Sequence, residues 1–110
     1  MFIFEGAGME IKDFIVIPEC SVLEAMRQIN HNARGIVYVC EQGKLIGTVT
    51  DGDIRRYILK NGDLQDPVIK AVNTRTKVLS EKDKNHALEQ MKLYKISSIP
   101  ILDRDRRIKE

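Results

Sequence analysis

The chain has 110 residues, enough for one small domain or for two half-sized units that share a core. It is 43% hydrophobic and 31% charged, without a low-complexity run, which is the composition of a soluble globular protein. Its 18 basic and 16 acidic residues are interspersed, and aromatics make up only 5%, so neither a phosphate-tracking surface nor a base-stacking platform for nucleic acid is supplied.

Other classes fall away as quickly. Apolar runs are only a few residues long, too short for a membrane helix. The opening "MFIFEGAGMEIKD" carries Glu5 and no basic region, unlike a secretory signal. Cys20 and Cys40 form no CxxC and no zinc spacing with His31 or His86, so two free thiols and a reducing, cytoplasmic setting are expected.

In chain order, "FIVI" reads as a short extended lead-in ending at Pro18. Ser21 is a natural N-cap, with Glu24 three residues on to complete a capping box. Val22, Ala25, Met26 and Ile29 then share one helical face, and "NARG" stops the helix. "GIVYVC" has strand length and "LIGTVT" is its partner across the turn "EQGK". A second helix is expected from Asp53, burying Ile54, Tyr57 and Ile58, until Asn61-Gly62 ends it.

From here the chain repeats itself. An offset of 62 residues lays "VIPECSVLEAMRQI", from Val16, over "VLSEKDKNHALEQM", from Val78. Ala25 meets Ala87, Gln28 meets Gln90, Val39 meets Ile101 and Ile46 meets Ile108, with no gap. "TKVLS" is the second lead-in, Asp83 the cap, and Ala87, Leu88, Met91 and Tyr94 the stripe. "ISSIPIL" is a strand with Pro100 near its start or at an edge, and "DRDR" a turn. Such a repeat means two similar units, neither able to bury its apolar face alone. The expected divisions are a lead-in over 1–12, a first repeat over 13–62, a connection over 63–73 and an incomplete second repeat over 74–110. Counterparts of Thr50 and Asp53 would fall beyond Glu110, as in a piece of a longer polypeptide.

The stretch "GKLIGTVTDGDIRR" carries more polar equipment than a strand-to-helix junction needs. A helix N-terminus has unsatisfied N–H groups and draws anions. Thr50 offers a hydroxyl, and Gly47 and Gly52 leave room for a close approach. The carboxylate of Asp53 suits a cis-diol, since its two oxygens can accept two protons. A cap is the plainer reading of both, contributing about 1 kcal/mol to the helix. Asp51 is read as capping or solvated, while Arg55 and Arg56 are open between steering a phosphate and lying in solvent. Asp51 and Asp53, without a third acidic ligand, make a poor divalent-metal site. The Gly-Lys-Ser/Thr ending of a P-loop is missing, and no nucleophile accompanies His31 or His86.

Two tandem strand-helix-strand-strand-helix units with "GTVTDGDI" at residues 47–54 resemble a pair of CBS domains, a Bateman module. The resemblance covers about residues 11 to 110. It implies an α+β fold in which the repeats pack about a pseudo-two-fold axis, the second being cut short. It further implies a non-catalytic regulatory module that takes AMP, ADP or ATP between its repeats and requires no cofactor. By the family pattern Thr50 contacts phosphate or ribose, Asp53 holds the ribose diol, and Gly47 opens the motif. Thr76, Ile99, Pro100 and Ile17, in the lead-ins and the second strand, are the implied walls around the base. "GTVTDGDIRR" is similar to the N-terminal CBS region of sugar-phosphate nucleotidyltransferases, the expected host, and to the C-terminal pair of arabinose-5-phosphate isomerases, an alternative. A ligand-free oligomerisation scaffold is the rival function. A homodimer is expected, covering "ISSIPIL" and Met91.

Overall fold

The computed structural model describes residues 11–94 and 99–108. A 3-10 turn over Ile11–Phe14 runs into β1 (Ile15–Val16), which lies parallel to β2 (Ile36–Glu41). β2 pairs antiparallel with β3 (Lys44–Thr50), giving the order β1-β2-β3. Gln42 and Gly43 both have positive φ, 52° and 80°, so the hairpin closes through the two-residue turn whose twist suits the strands. The register slips between Val39 and Cys40, leaving Ile46 as the extra residue on β3.

Helix α1 (Val22–Asn32) starts where Ser21 Oγ accepts the Glu24 N–H at 3.0 Å. Glu24 pairs outward with Arg27, so the observed cap is one-sided rather than the expected box. The helix stops where Ala33 turns left-handed, φ 57°, and its N–H reaches the Ile29 carbonyl at 2.9 Å. Val22, Ala25 and Ile29 are buried. Met26 is not: it lies 38% exposed at the margin of the stripe, on a cleft shared with Gly35 and Asp51.

The continuous apolar run of β2 has a direct cause. Val37 and Val39 join Val22, Ala25, Ile29, Val49 and Ile54 in a core beneath the helices. Tyr38 and Cys40 face the other way, packing with Phe14, Leu45 and Leu102 of the second unit. A strand covered on both faces has no polar side to show.

Helix α2 (Asp51–Leu59) begins two residues before the expected Asp53, because Thr50 is its cap. Ile54 is buried, whereas Ile58 is 38% exposed. Beyond Asn61, at φ 68°, the connection is tied to the first unit. Leu64 and Asp66 carbonyls accept the Leu23 and Val22 N–H groups at 3.0 and 2.9 Å, and Tyr57 donates to the Asp66 carboxylate. After a 3-10 turn over Val68–Ala71, Asn73 crosses the free edge of β3. It exchanges two backbone hydrogen bonds with Thr48, of 2.9 and 2.8 Å.

In the second unit β4 (Leu79–Ser80) runs parallel to β5 (Ile101–Leu102). Between them a 3-10 turn over Glu81–His86 becomes α3 (Ala87–Tyr94). Asp83, the expected cap, lies inside that turn and accepts from Ser80 Oγ at 3.0 Å; Ser80 is the flanking residue. Of the expected stripe Ala87 is buried, while Leu88 and Tyr94 are 63% and 44% exposed, because no described helix covers α3 as α2 covers α1. Ile96 and its two serine neighbours lie outside the described residues.

The gap-free repeat also needs correcting at the turn. Leu102 bridges Ile108, whereas its first-unit equivalent Cys40 pairs with Leu45. The Asp103–Arg107 turn is thus one residue longer, and Ile108 takes the place of Leu45 rather than of Ile46. Arg107 also bridges Lys44, and the Arg106 carbonyl accepts the Leu45 N–H at 2.9 Å, so this turn stitches the two units together.

Candidate functional site at the β3–α2 junction

Thr50 ends β3 in an extended conformation, φ −109° and ψ 170°, and leaves α2 with N–H groups to satisfy. Its Oγ1 accepts the Asp53 N–H at 3.1 Å. Asp53 Oδ2 returns the favour twice, accepting the Thr50 N–H and the Thr50 hydroxyl, both at 2.9 Å. This is a full capping box, with Asp in place of the commoner Glu or Gln. The other oxygen, Oδ1, receives Arg56 Nη2 at 2.8 Å. The Asp53 side chain is 14% exposed and that of Arg56 65% exposed, so the carboxylate is fixed and the guanidinium lies in solvent. One junction therefore serves both readings of the sequence: the box caps the helix, and one carboxylate oxygen remains on its outer side.

Gly47 has a structural reason that the sequence did not reveal. A Cβ there would stand 2.4 Å from the Asn73 carbonyl oxygen and 2.9 Å from Val72 Cγ2, so only glycine lets the connection cross β3. Thr76 follows this crossing. Its Oγ1 lies 3.1 Å from Thr48 Oγ1 and 3.2 Å from the Asn73 carbonyl, giving the buried Thr48 hydroxyl a partner. Gly47, Thr50, Asp53 and Thr76 are thus gathered along the end of β3 and its edge. Asn73, which makes that edge, escaped sequence reasoning. Its side chain accepts the Arg75 N–H, an Asx turn visible in "NTR" as a turn but not as a strand partner.

The other implied wall residues are elsewhere. Ile99 and Pro100 are buried at the entry to β5, where the Pro100 carbonyl accepts the Leu79 N–H at 3.0 Å. Ile17 is 58% exposed and follows β1, beside the Cys40 end of β2, whereas Thr50 pairs with Ile36 at its start. Asp51 opens α2, exposed, its Oδ2 near Gly35, on a cleft of about 420 Å³ that neither Thr50 nor Asp53 lines. A second cleft of about 450 Å³ is lined by Ser80, Glu81, Leu102, Asp103 and Arg104.

His31 Nε2 faces Asp13 Oδ1 at 3.3 Å and His86 Nδ1 stands 3.7 Å from Glu89 Oε2. Burial pushes the Cys40 thiol up to about 11, and burial with Glu24 and Glu19 nearby raises Cys20, so both thiols are poor nucleophiles. Among the described residues no three His, Cys, Asp or Glu side chains cluster to hold a metal, and no helix is long and apolar enough to cross a membrane.

A strand-helix-strand-strand-helix unit closed by Gly47, Thr50 and Asp53, packed on a second unit begun the same way, is the architecture of a CBS pair. Residues 9–60 match the family model for the CBS domain. A CBS domain protein from Pyrobaculum aerophilum complexed with AMP superposes with a TM-score of 0.70, at 17% identity, over 86% of this chain and 75% of that one. A CBS domain pair/ACT domain protein from Thermotoga maritima does so with 0.68, at 23% identity, over 92% and 86%. Residues 9–60 are thus similar to the CBS domain, and the chain has the tandem CBS fold. In sequence it is 34% identical over 85 residues to the arabinose 5-phosphate isomerase GutQ of Escherichia coli K12, covering 76% of this chain and 26% of the isomerase. It is 32% identical over 91 residues to the L-aspartate semialdehyde sulfurtransferase of Methanocaldococcus jannaschii, covering 80% of this chain and 17% of that one. It spans about a quarter or less of these relatives. The expected nucleotidyltransferase host gains no support from them.

Proposed function

We propose that the chain is a non-catalytic regulatory module that binds an adenosine nucleotide of the AMP, ADP or ATP class at the β3–α2 junction. The observation that carries this reading is Asp53: a fixed carboxylate whose Oδ1 lies outside the capping box, within the segment matched by the CBS family model. A ribose diol needs such an acceptor, and the Pyrobaculum relative of the same fold is complexed with AMP. In this reading Thr50 and Asp53 hold ribose and phosphate and Gly47 and Thr76 shape the rim along β3, while Ile99, Pro100 and Ile17 stand apart from the junction and wall no part of it. The functional divisions are a lead-in over 1–12, repeats over 13–62 and 74–110, and a connection over 63–73. The isomerase relatives support a sugar-phosphate isomerase type of host over a nucleotidyltransferase. The two free, poorly reactive cysteines fit a cytoplasmic setting.

The exposed Leu88, Leu93 and Tyr94 of α3 also support a homodimer that covers this face. Ile99, Ile101 and Leu102 are already buried within the chain and are not part of it. A ligand-free scaffold shares that surface but not the nucleotide. Thermal melting with AMP, ADP and ATP separates the two functions. A true ligand at a hundredfold excess over its dissociation constant stabilises the fold by about 2.7 kcal/mol. No shift with any of the three leaves the scaffold.

A further inference from the structure

Resting on the nucleotide reading above, we infer that Arg56 makes the site selective for phosphorylated nucleosides by exchanging partners, from the Asp53 carboxylate to the ligand's phosphate. Asp53 Oδ2 is fully engaged by the N–H and hydroxyl of Thr50. The oxygen left for a ribose diol is Oδ1, and Arg56 Nη2 holds it at 2.8 Å. A nucleoside must therefore displace Arg56 to reach its acceptor. Without a phosphate the displaced guanidinium loses its partner and gains none, which weakens binding by that amount. With a phosphate it regains an anion, and arginine's planar fork suits phosphate oxygens.

The surroundings allow this exchange. Arg56 is 65% exposed, so most of its side chain lies in solvent and is free to turn. Its Nη1 and Nη2 would lie 3.2 and 3.4 Å from a Cβ on Gly52, so the guanidinium rests over the first turn of α2, in space that glycine leaves open. Cations are unfavourable at a helix N-terminus, and Asp51 and Asp53 offset this one. An anion arriving at that turn meets the guanidinium with only a side-chain rotation needed. Arg55, its neighbour, has no such tie to Asp53 and points away by one helical step of about 100°.

The test is calorimetric titration of AMP and of adenosine into the chain and into its Arg56→Gln and Arg56→Lys variants, with melting curves as the control for folding. The parent should prefer AMP over adenosine. In Arg56→Gln the AMP affinity should fall about tenfold while adenosine binds as well as before or better, so the preference collapses. Arg56→Lys, which keeps the charge, should retain part of the preference, and added salt should erode it. An unchanged AMP-to-adenosine ratio in Arg56→Gln overturns the role of Arg56 while leaving the nucleotide site standing. A parent that binds neither compound overturns the site itself, and this inference with it.

Discussion

The first unit and the second follow the same order of strand, helix and strand, yet their helices end up in different surroundings. α1 is clamped between β2, α2 and the connection, with Val22 and Ala25 fully buried and Ile29 at 4%. α3 has one buried residue, Ala87, while Leu88 and Leu93 stand 63% and 68% exposed. The contrast is one of tertiary cover rather than of sequence, since both stretches carry apolar residues at helical spacing. Most helical stability in proteins comes from packing an apolar face, and only α1 has its face packed.

The strongest way to break the comparison is to cut the core on each side. Ile29→Ala should lower unfolding stability by about 2–5 kcal/mol, through lost burial and the cavity left behind. Leu93→Ser, measured in chain dilute enough to be monomeric, should change it by no more than about 0.5 kcal/mol, yet weaken any self-association seen by sedimentation. Equal losses in the monomer would show α3 to be packed by something within the chain.

A second, smaller effect separates what holds the units together. Gly47→Ala places a methyl 2.4 Å from a backbone oxygen that is itself bonded to Thr48. Relief requires the connection to move, at about 1–3 kcal/mol by the usual scale of overpacking. A melting temperature equal to the parent's would mean that Asn73 does not hold the edge of β3.

These two positions also show which parts were legible in advance. Ser21, the "NARG" stop and the "EQGK" turn were readable because each is decided by neighbours within four residues. The α2 start differs by two residues from the expected one because Thr50 and Asp53 are both good cap residues, and only geometry shows Thr50 in that place. Periodicity alone places Met26 and Leu88 on apolar faces, but it cannot report whether another element arrives to cover them. In the sequence Gly47 reads as room for a ligand, because its real neighbour, Asn73, is 26 residues away. The longer turn at Asp103–Arg107 was hidden because a one-residue insertion near the chain's end leaves little sequence behind it to fall out of register. At the site, Thr50 and Asp53 were readable as residues. Their mutual bonds and the hold of Arg56 on Oδ1 were not.

The caps give a third comparison, near 1 kcal/mol. Ser21 Oγ satisfies a backbone N–H, whereas Ser80 Oγ is turned to the Asp83 carboxylate and satisfies none. Ser21→Ala should therefore cost about 1 kcal/mol. Ser80→Ala should stay within about 0.5 kcal/mol. If denaturant melts place the two serines together, the 3-10 start of α3 is not explained by the missing cap.

The smallest effect belongs to a latch present on α2 and, among the described residues, without a counterpart on α3. Tyr57 donates to the Asp66 carboxylate, and Gly62 must lack a side chain because a Cβ would fall 2.3 Å from the tyrosine ring. The hydrogen bond to Asp66, then burial and the charges of Asp66 and Asp63, push the phenol from its ordinary 10.0 up to about 12. Since the folded value is the higher one, folded chain holds the proton more tightly than unfolded chain. The latch is therefore fully stabilising below about pH 10, and its contribution is lost as pH rises through 12. On the acid side the bond from Tyr57, joined by the Asp63 N–H, lowers Asp66 below its usual 3.8, so the contribution disappears as pH falls through that lowered value. Tyr57→Phe should melt below the parent at neutral pH, by a margin that closes between pH 10 and 12. The parent should also show one phenol ionising near pH 12 in ultraviolet titration, absent from the variant. Curves that stay parallel from pH 7 to 12 would mean that the ring packs against Gly62 without its hydroxyl holding the connection.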